Sequence, residues 1–189
     1  YAGRNRIQKP NLLVMVEKLQ IPITYIGDIR KYMEERTTGM IQGLLITVDC
    51  QYKAGNVTYL PAEDVAIIDH HQEEIQDVQK TEINPHLGSC STLVWHMLRE
   101  DGYTVDDKRV GTALYYGLYT DTNQFSEIYN PLDMDMRDMI PCEKTLVTLF
   151  RNSNLSLQEM EIAGVAMIQH IYNEDYRYAI IKSKPCDPN

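Results

Sequence analysis

The sequence has few basic residues and no long apolar run. Lys and Arg total 18 against 27 Asp and Glu, which gives a formal net charge of −9. This balance excludes a protein that holds nucleic acid mainly through a basic surface, so no long duplex is expected as a partner. An anionic substrate remains compatible with the charge, because a bound metal inverts the local electrostatic field. Apolar runs such as Val65–Ile68 are far too short to cross a bilayer, so no membrane partner is predicted.

Cysteine is also scarce. Cys50, Cys90, Cys142 and Cys186 are widely spaced and form no C-x-x-C pair, which excludes a zinc ribbon. A chain of 189 residues can bury a sizeable core without disulfides. We therefore expect four reduced thiols and a cytoplasmic location.

Both ends of the sequence resemble cut ends. The chain begins with Tyr-Ala-Gly and without a methionine, and it stops at Pro-Cys-Asp-Pro-Asn directly after a strand-like run. No secretory signal is visible. We expect the chain to be a piece of a longer protein.

Hydrophobic patterns predict strands and helices in alternation, and then mostly helices. Nearly continuous apolar runs at 43–49 and 65–69 are typical of parallel strands covered on both faces. A third strand is predicted at 21–26, weakened by Pro22, and a last one at 176–181. Helical spacing predicts helices at 11–19, 29–36, 89–100, 106–119, 131–140, 143–151 and 156–170, the last opened by a capping box at Ser156. This order predicts an α/β fold: a three-layer domain with a mostly parallel β-sheet flanked by helices, followed by a helical linker region.

Residues typical of metal ligands stand at the ends of these segments. The first apolar strand ends at Asp49, the second ends at Asp69-His70-His71, and Asp121 closes the run that starts at Ala113. Because parallel strands present their carboxyl ends at one edge of the sheet, these side chains can share a cleft. Mixed imidazole and carboxylate ligands are compatible with manganese, iron, cobalt or zinc. An Asp after a strand can also be an ordinary turn or cap residue, whereas paired histidines in such a loop have no packing rationale.

A glycine followed by small hydroxyl residues precedes the predicted helix 89–100. Backbone N–H groups there can receive a phosphate, with Ser89, Ser91 and Thr92 as candidate substrate-binding residues. An ordinary N-cap with small residues for close packing explains the pattern equally well. Cys90 is a poor candidate nucleophile, because the sequence shows no positive neighbour or paired base beside it.

Four motifs together resemble the DHH phosphoesterase superfamily. They are TVDC at 47–50, IDHH at 68–71, GSCST at 88–92 and GLYTDTNQF at 117–125. The order and the spacings match those of the family, since His70 follows Asp49 by 21 positions and Asp121 follows His70 by 51 positions. The segment Asn130-Pro-Leu-Asp133 and the helices around it look like the linker region of the same family. Within this superfamily, the chain resembles the RecJ-like, nanoRNase and cyclic-dinucleotide phosphodiesterase types.

The resemblance implies roles for individual residues. Asp49 would bridge two divalent ions, most simply Mn²⁺, with Mg²⁺ or Co²⁺ as alternatives, and His70 and Asp121 would hold one of them. His71 would contact substrate phosphate or help protonate the leaving group, and Asp69 would fix an imidazole tautomer. The family's first D-x-D motif does not occur in 1–48, and its glycine-rich G-G-G-H motif is also missing. We therefore expect a catalytic domain at 1–130 that lacks its first motif, its helical remainder and linker at 131–175, and the start of a substrate-binding domain at 176–189.

The predicted activity is divalent-metal-dependent hydrolysis of phosphoester bonds, with a small phosphorylated nucleotide, short oligonucleotide or cyclic dinucleotide as substrate. We expect this chain alone to be weakly active or inactive. Two alternatives stay open: a non-catalytic nucleotide- or metal-binding regulatory module whose first motif has degenerated, and an inorganic pyrophosphatase or polyphosphatase. A monomer and a dimer both agree with the sequence.

Overall fold

A computed structural model describes residues 6–35, 39–55, 57–154 and 157–181 of the chain. In chain order the elements within this part are α1 (Pro10–Leu19), α2 (Ile26–Glu35), β1 (Ile41–Val48), β2 (Ala62–Asp69), β3 (Lys80–Ile83), α3 (Cys90–Glu100), α4 (Lys108–Asp121), α5 (Pro131–Met139), α6 (Lys144–Asn152), α7 (Leu157–Ile168), β4 (Ile171–Asn173) and β5 (Tyr178–Ile180). The order is that of an α/β domain whose later part is mainly helical, which confirms the predicted fold class.

The larger sheet has the order β1-β2-β3, and all three strands are parallel. The two apolar strands predicted at 43–49 and 65–69 are confirmed as β1 and β2, with Val48 of β1 opposite Ile68 of β2. Strand β3 has the polar sequence KTEI, so apolar patterning did not predict it. Because β2 lies between two parallel neighbours, its carboxyl end lies beside the ends of both.

The strand predicted at 21–26 is wrong. Ile26 is the first residue of α2, and none of the described sheets includes a strand over these residues. Pro22 has no N–H to donate to a ladder, and Asp28 in the first turn of α2 favours a helix start. The helix predicted at 29–36 therefore begins three residues earlier, and its predicted last residue lies outside the described residues.

The main hydrophobic core of the described residues lies between helices that pack around α4. Helix α4 packs against α3, α1, α5 and α6. Phe150 of α6 meets the ring of Tyr116 of α4 edge-on, with 5.3 Å between centroids. The buried apolar side chains of this cluster are Leu19, Trp95, Tyr115, Tyr116, Leu118, Met136, Ile140, Val147 and Phe150. This packing fixes α4, which carries Asp121 at its last residue.

The last described part of the chain forms a short antiparallel hairpin of β4 and β5. The strand predicted at 176–181 is confirmed in part as β5. The helix predicted at 156–170 is α7, which ends two residues early at Ile168, and β4 begins at Ile171. The capping box predicted at Ser156 lies outside the described residues. No helix within the described part of the chain has the length and apolar character needed to cross a membrane.

Candidate metal centre

The carboxyl ends of β1 and β2 place acidic and imidazole side chains at one edge of the sheet. Asp49 directly follows β1, and its backbone N–H donates to the carbonyl of Ile68 at 3.0 Å. Asp69 is the last residue of β2, and His70 and His71 follow it. The structure thus brings together residues that follow two adjacent parallel strands.

His70 lies at the centre of this group. Its Nε2 lies 3.3 Å from Asp49 Oδ1 and 4.0 Å from Asp121 Oδ2. Its Nδ1 lies 3.1 Å from the carbonyl oxygen of Leu87. Since the Leu87 carbonyl can only accept, Nδ1 is the donor in this contact, and Nε2 is the ring nitrogen that faces the two carboxylates.

The electrostatics of the group follow from this convergence. The hydrogen bond with Asp49 raises the pKa of His70 and outweighs the burial that would lower it. Burial, reinforced by the negative charge of Asp49, raises the pKa of Asp121. Two carboxylates therefore lie near one imidazole, in an arrangement that a cation between them would relieve.

The donor set fits a divalent metal ion. Among the described residues, Asp49, His70 and His71 each offer a ligand atom, and these atoms all lie within 4.8 Å of one another. Two ligands about 2.1 Å from a shared ion are separated by roughly 3–3.5 Å, which is close to the distance between Asp49 Oδ1 and His70 Nε2. Oxygen and imidazole donors in one site suit manganese, iron, cobalt or zinc. Asp121 lies slightly farther out, on the Nε2 side of His70.

Asp69 holds the second histidine of the pair. Its carboxylate is buried, whereas the His71 side chain is 60% exposed. Oδ1 of Asp69 lies 2.8 Å from His71 Nδ1 and also accepts the backbone N–H of His70 at 2.9 Å. Burial alone would raise the pKa of Asp69, but the hydrogen bonds from His71 and Gln51 outweigh it and lower the pKa. Asp69 therefore stays ionised and directs Nε2 of His71 outward.

Gln51 is a structural partner of the site that no sequence pattern marks. Its buried side chain donates from Nε2 to Asp69 Oδ2 at 3.1 Å and to the carbonyl of Gln72 at 2.8 Å. Its Oε1 accepts the backbone N–H groups of Glu74 and Ile75. One amide thus joins the loop after β1 to the loop after β2 and keeps Asp69 in place beneath the two histidines.

Asp121 comes from a helix end rather than from a strand. The residues Asn123, Gln124 and Phe125 that follow it all have a positive φ, which is uncommon for residues other than glycine. The ring of Phe125 packs edge-on against Tyr115 and Tyr119, with centroids 5.1 and 5.2 Å away. These aromatic contacts stabilise the unusual backbone turn directly after Asp121.

The three candidate phosphate-binding residues differ in where they lie. Ser89 is the N-cap of α3, and its Oγ accepts the backbone N–H of Thr92 at 3.1 Å. The side chains of Ser89 and Thr92 are fully buried and hydrogen-bond each other, and Ser89 caps the helix. Ser91 instead lines a cleft next to Asp49 and Asp121. Phosphate binding stays a prediction for the three residues and for the backbone N–H groups at this helix start.

Neither cysteine near the site has the features of a nucleophile. Burial raises the pKa of Cys90 to about 12, and its Sγ contacts the carbonyl oxygen of Ile68. Burial and the charges of Asp69 and Asp49 raise the pKa of Cys50. A thiol with a raised pKa holds little thiolate at neutral pH, so hydrolysis through a cysteine has no support here.

Two clefts lie beside α1 and α4. One, of about 570 Å³, contains Asp49, Asp121 and Ser91. The other, of about 1060 Å³, extends towards Arg151 and Asn152 of α6. The residues that line both clefts are Lys9, Asn11 and Thr120. The cleft at the acidic centre therefore adjoins a second, larger one that polar and apolar groups line together.

Comparisons with known proteins agree with this picture. The sequence profile of the DHH family, N-terminal domain, matches residues 11–118. An uncharacterized protein of Methanocaldococcus jannaschii is 25% identical over 112 residues, which are 58% of this chain and 23% of that protein. The crystal structure of an exopolyphosphatase-related protein from Bacteroides fragilis superposes with a TM-score of 0.65 at 18% identity, covering 83% of this chain and 49% of the other. That structural likeness shows the fold alone. The chain spans about a quarter of the Methanocaldococcus jannaschii protein and about half of the Bacteroides fragilis protein.

Proposed function

Because the chain belongs to the DHH family, we propose that it is a divalent-metal-dependent hydrolase of phosphoester bonds in short oligonucleotides, cyclic dinucleotides or related phosphorylated nucleotides. The family comprises phosphoesterase-type hydrolases, and its members generally use divalent metals. The observation that carries the proposal is the convergence of Asp49 and Asp121 on Nε2 of His70. This constellation has the ligand types and the spacing that a metal-dependent phosphoesterase needs.

The residues of the chain divide the chemistry between them. Asp49 and His70 would hold a divalent ion, with Asp121 as the neighbouring ligand. Such an ion supplies a Lewis acid for phosphoryl oxygens and makes water an effective nucleophile at neutral pH. His71 is the candidate proton donor to the leaving oxygen, because Asp69 holds its Nδ1 and leaves Nε2 directed outward. Its exposed ring leaves Nε2 accessible to substrate.

The shape of the clefts supports a nucleotide as substrate. The larger cleft is lined by amide side chains, by Tyr119 and by Arg151, and it adjoins the cleft that contains Asp49. Amides can hydrogen-bond to base edges, and an arginine can pair with a further phosphate. Pyrophosphate alone would leave most of this space unfilled. The name of the Bacteroides fragilis neighbour includes an exopolyphosphatase relation, so polyphosphate belongs among the substrates that are tested.

The proposal is tested by hydrolysis with Mn²⁺ of a dinucleotide, a cyclic dinucleotide, phosphoadenosine phosphate, pyrophosphate and polyphosphate, using the full-length protein that contains this sequence. We expect Asp49→Ala and His70→Ala each to lose at least ~100-fold in kcat/KM, since each removes a group that holds the ion. His170→Ala, an exposed histidine outside the site, is the matched control and should retain activity.

Two outcomes would count against the proposal. Unchanged activity in Asp49→Ala or His70→Ala would show that the centre does not carry the reaction. Mn²⁺ binding without turnover of any of the five compounds would favour a regulatory binding module. Preferred hydrolysis of pyrophosphate or polyphosphate would support the proposed hydrolase activity but contradict the proposal of a nucleotide substrate.

A further inference from the structure

Asp133 is a buried carboxylate for which the reaction proposed above has no use. It lies in the first turn of α5, and its side chain is 1% exposed. Its Oδ2 accepts the backbone N–H of Gly88 at 2.9 Å, while Oδ1 has no hydrogen-bond partner among the described residues. A buried polar group is costly unless it is hydrogen-bonded, and the Gly88 N–H supplies the hydrogen bond here.

The N–H that Asp133 binds belongs to the same peptide group as the carbonyl that binds His70. The Leu87 carbonyl oxygen accepts from Nδ1 of His70 at 3.1 Å, and the Gly88 N–H leaves the other side of that planar unit. Because the peptide bond is planar and trans, fixing the direction of the N–H also fixes the direction of the C=O. A hydrogen-bonded chain thus runs from Asp133 through the Leu87–Gly88 peptide group to Nδ1 of His70, on the opposite side of the ring from Asp49.

The surroundings allow little freedom to this peptide group. A Cβ on Gly88 would lie 2.6 Å from Cγ2 of Thr122 and 3.1 Å from Oδ2 of Asp133, so only glycine permits this approach. On the other flank, Asn130 caps α5 through the Leu132 N–H and donates from Nδ2 to the carbonyl of His86 at 3.2 Å. The Asn130-Pro-Leu-Asp133 segment therefore contacts the residues on both sides of Leu87.

We propose that Asp133 is a positioning residue for His70, acting through the Leu87–Gly88 peptide group to keep Nδ1 protonated and Nε2 free for a divalent metal. Hydrogen bonds in such a chain polarise one another, so the hydrogen bond that Asp133 accepts from Gly88 makes the Leu87 carbonyl a stronger acceptor and Nε2 a better ligand. Carboxylates that bind the far nitrogen of a ligand histidine commonly do this directly. Here a peptide group stands between the two. The proposal rests on the proposed function only in assigning His70 to the metal.

The first experiment uses the metal-free protein. Long-range ¹H–¹⁵N NMR at a pH where His70 is neutral should show the Nδ1–H tautomer in the unmodified protein. We expect a mixture of tautomers in Asp133→Ala, and the Nδ1–H tautomer again in Asp133→Asn, because the amide oxygen can still accept the Gly88 N–H. Asp135→Ala, an exposed residue on the same helix, is the matched control and should leave the tautomer unchanged.

The second experiment measures the Kd of Mn²⁺ by calorimetry on the same proteins. We expect Asp133→Ala to raise Kd by about tenfold, the lower end for loss of a group that orients a ligand histidine. The Kd of Asp133→Asn should stay within about threefold of that of the unmodified protein, and the Kd of Asp135→Ala should equal that of the unmodified protein.

The inference fails if a folded Asp133→Ala protein keeps both the tautomer and the Kd of Asp135→Ala, or if Asp133→Asn loses as much affinity as Asp133→Ala. If Asp133→Ala does not fold, the unmodified protein still decides, because an Nε2–H tautomer of His70 would overturn the proposal. The NMR experiment needs neither metal nor turnover. A protein with the expected tautomers but no hydrolysis would therefore refute the proposed function and not the positioning role.

Discussion

Asp69 is the residue on which both histidines depend. Its buried carboxylate accepts from the His70 backbone and from Gln51, and it lies within hydrogen-bond distance of Nδ1 of His71. Replacement by asparagine would put an amide N–H₂ against at least one of these donors. The position therefore requires a group that accepts on both oxygens, and only the ionised carboxylate does so.

Asp69→Asn should lower the free energy of unfolding of the metal-free protein by about 1–3 kcal/mol at pH 7, the cost of leaving buried donors unpaired. The folded state lowers the pKa of Asp69 below its usual value of about 3.9. The stabilisation by the carboxylate is therefore fully present above that usual value and is lost as pH falls through the lowered pKa. Urea unfolding between pH 7 and the acid limit of the native state measures it.

The difference in free energy of unfolding between the unmodified protein and Asp69→Asn should become smaller as the solution becomes acidic. Asp77→Asn, at an exposed residue of the loop before β3, is the matched control and should show no comparable gap at any pH. A gap of the same size at every pH would contradict a role for the ionised carboxylate.

Part of the site can be predicted residue by residue, and part cannot. Asp49, His70 and His71 directly follow apolar strands, and parallel strands end at one edge of a sheet, so their convergence follows from local pattern. Gln51 and Asp133 act through contacts with segments far along the chain, at separations of 18 and 45 residues. Amide and carboxylate side chains of this kind look like ordinary loop and helix-start residues in a sequence, so only the fold shows their role.

At the scale of elements, helices were easier to predict than strands. The helices from α3 to α6 have buried stripes at helical spacing, and the predicted bounds agree within about two residues at each end. Strand β3 has only four residues, mostly polar, and pairs along one edge of β2, so neither length nor alternation reveals it. The segment 21–26 alternates in burial as a strand would, and Ile21 packs against the helical core, but no described sheet includes the segment and α2 begins at its last residue.

Gly111 tests whether packing or intrinsic helix preference decides the stability of α4. A Cβ at this position would lie 2.0 Å from the carbonyl oxygen of Pro141, a backbone atom that cannot move without displacing the segment after α5. An alanine inside a helix ordinarily gains roughly 0.5–1 kcal/mol over glycine. Because this overlap outweighs that gain, we expect Gly111→Ala to lower the free energy of unfolding by at least about 2 kcal/mol.

The matched control is Gly164→Ala in α7, where a Cβ would meet nothing within 4 Å. This variant should gain roughly the 0.5–1 kcal/mol that the helix preference gives. Urea unfolding of both variants and of the unmodified protein measures whether each substitution raises or lowers the free energy of unfolding. A stabilising Gly111→Ala would show that α4 and the segment after α5 do not pack as described.

At the scale of the whole molecule, the net charge of −9 has a local meaning as well as a global one. Asp49, Asp69 and Asp121 contribute part of this acidity within one small region beside two histidines. A surface of this sign repels phosphate, whereas a divalent ion among these side chains would make the same region attractive to it. A metal centre would therefore make the acidic composition compatible with the anionic substrate proposed above.

Metal binding should consequently stabilise the whole folded chain. An ion that binds the native state and not the unfolded one adds about 2.7 kcal/mol at a concentration of 100 times its Kd. For a domain of this size that corresponds to a rise in Tm of roughly 5–10 °C. We expect Mn²⁺ to produce this shift in a thermal unfolding scan, and a chelator to reverse it.

His70→Ala should abolish most of the shift, because it removes the imidazole between Asp49 and Asp121. His170→Ala should retain it, since this exposed histidine lies outside the centre, and the comparison cancels any weak Mn²⁺ binding to scattered surface carboxylates. An equal shift in both variants would mean that Mn²⁺ stabilises the chain through its general acidity. The convergence of Asp49, His70 and Asp121 would then be an arrangement of charges that binds no metal.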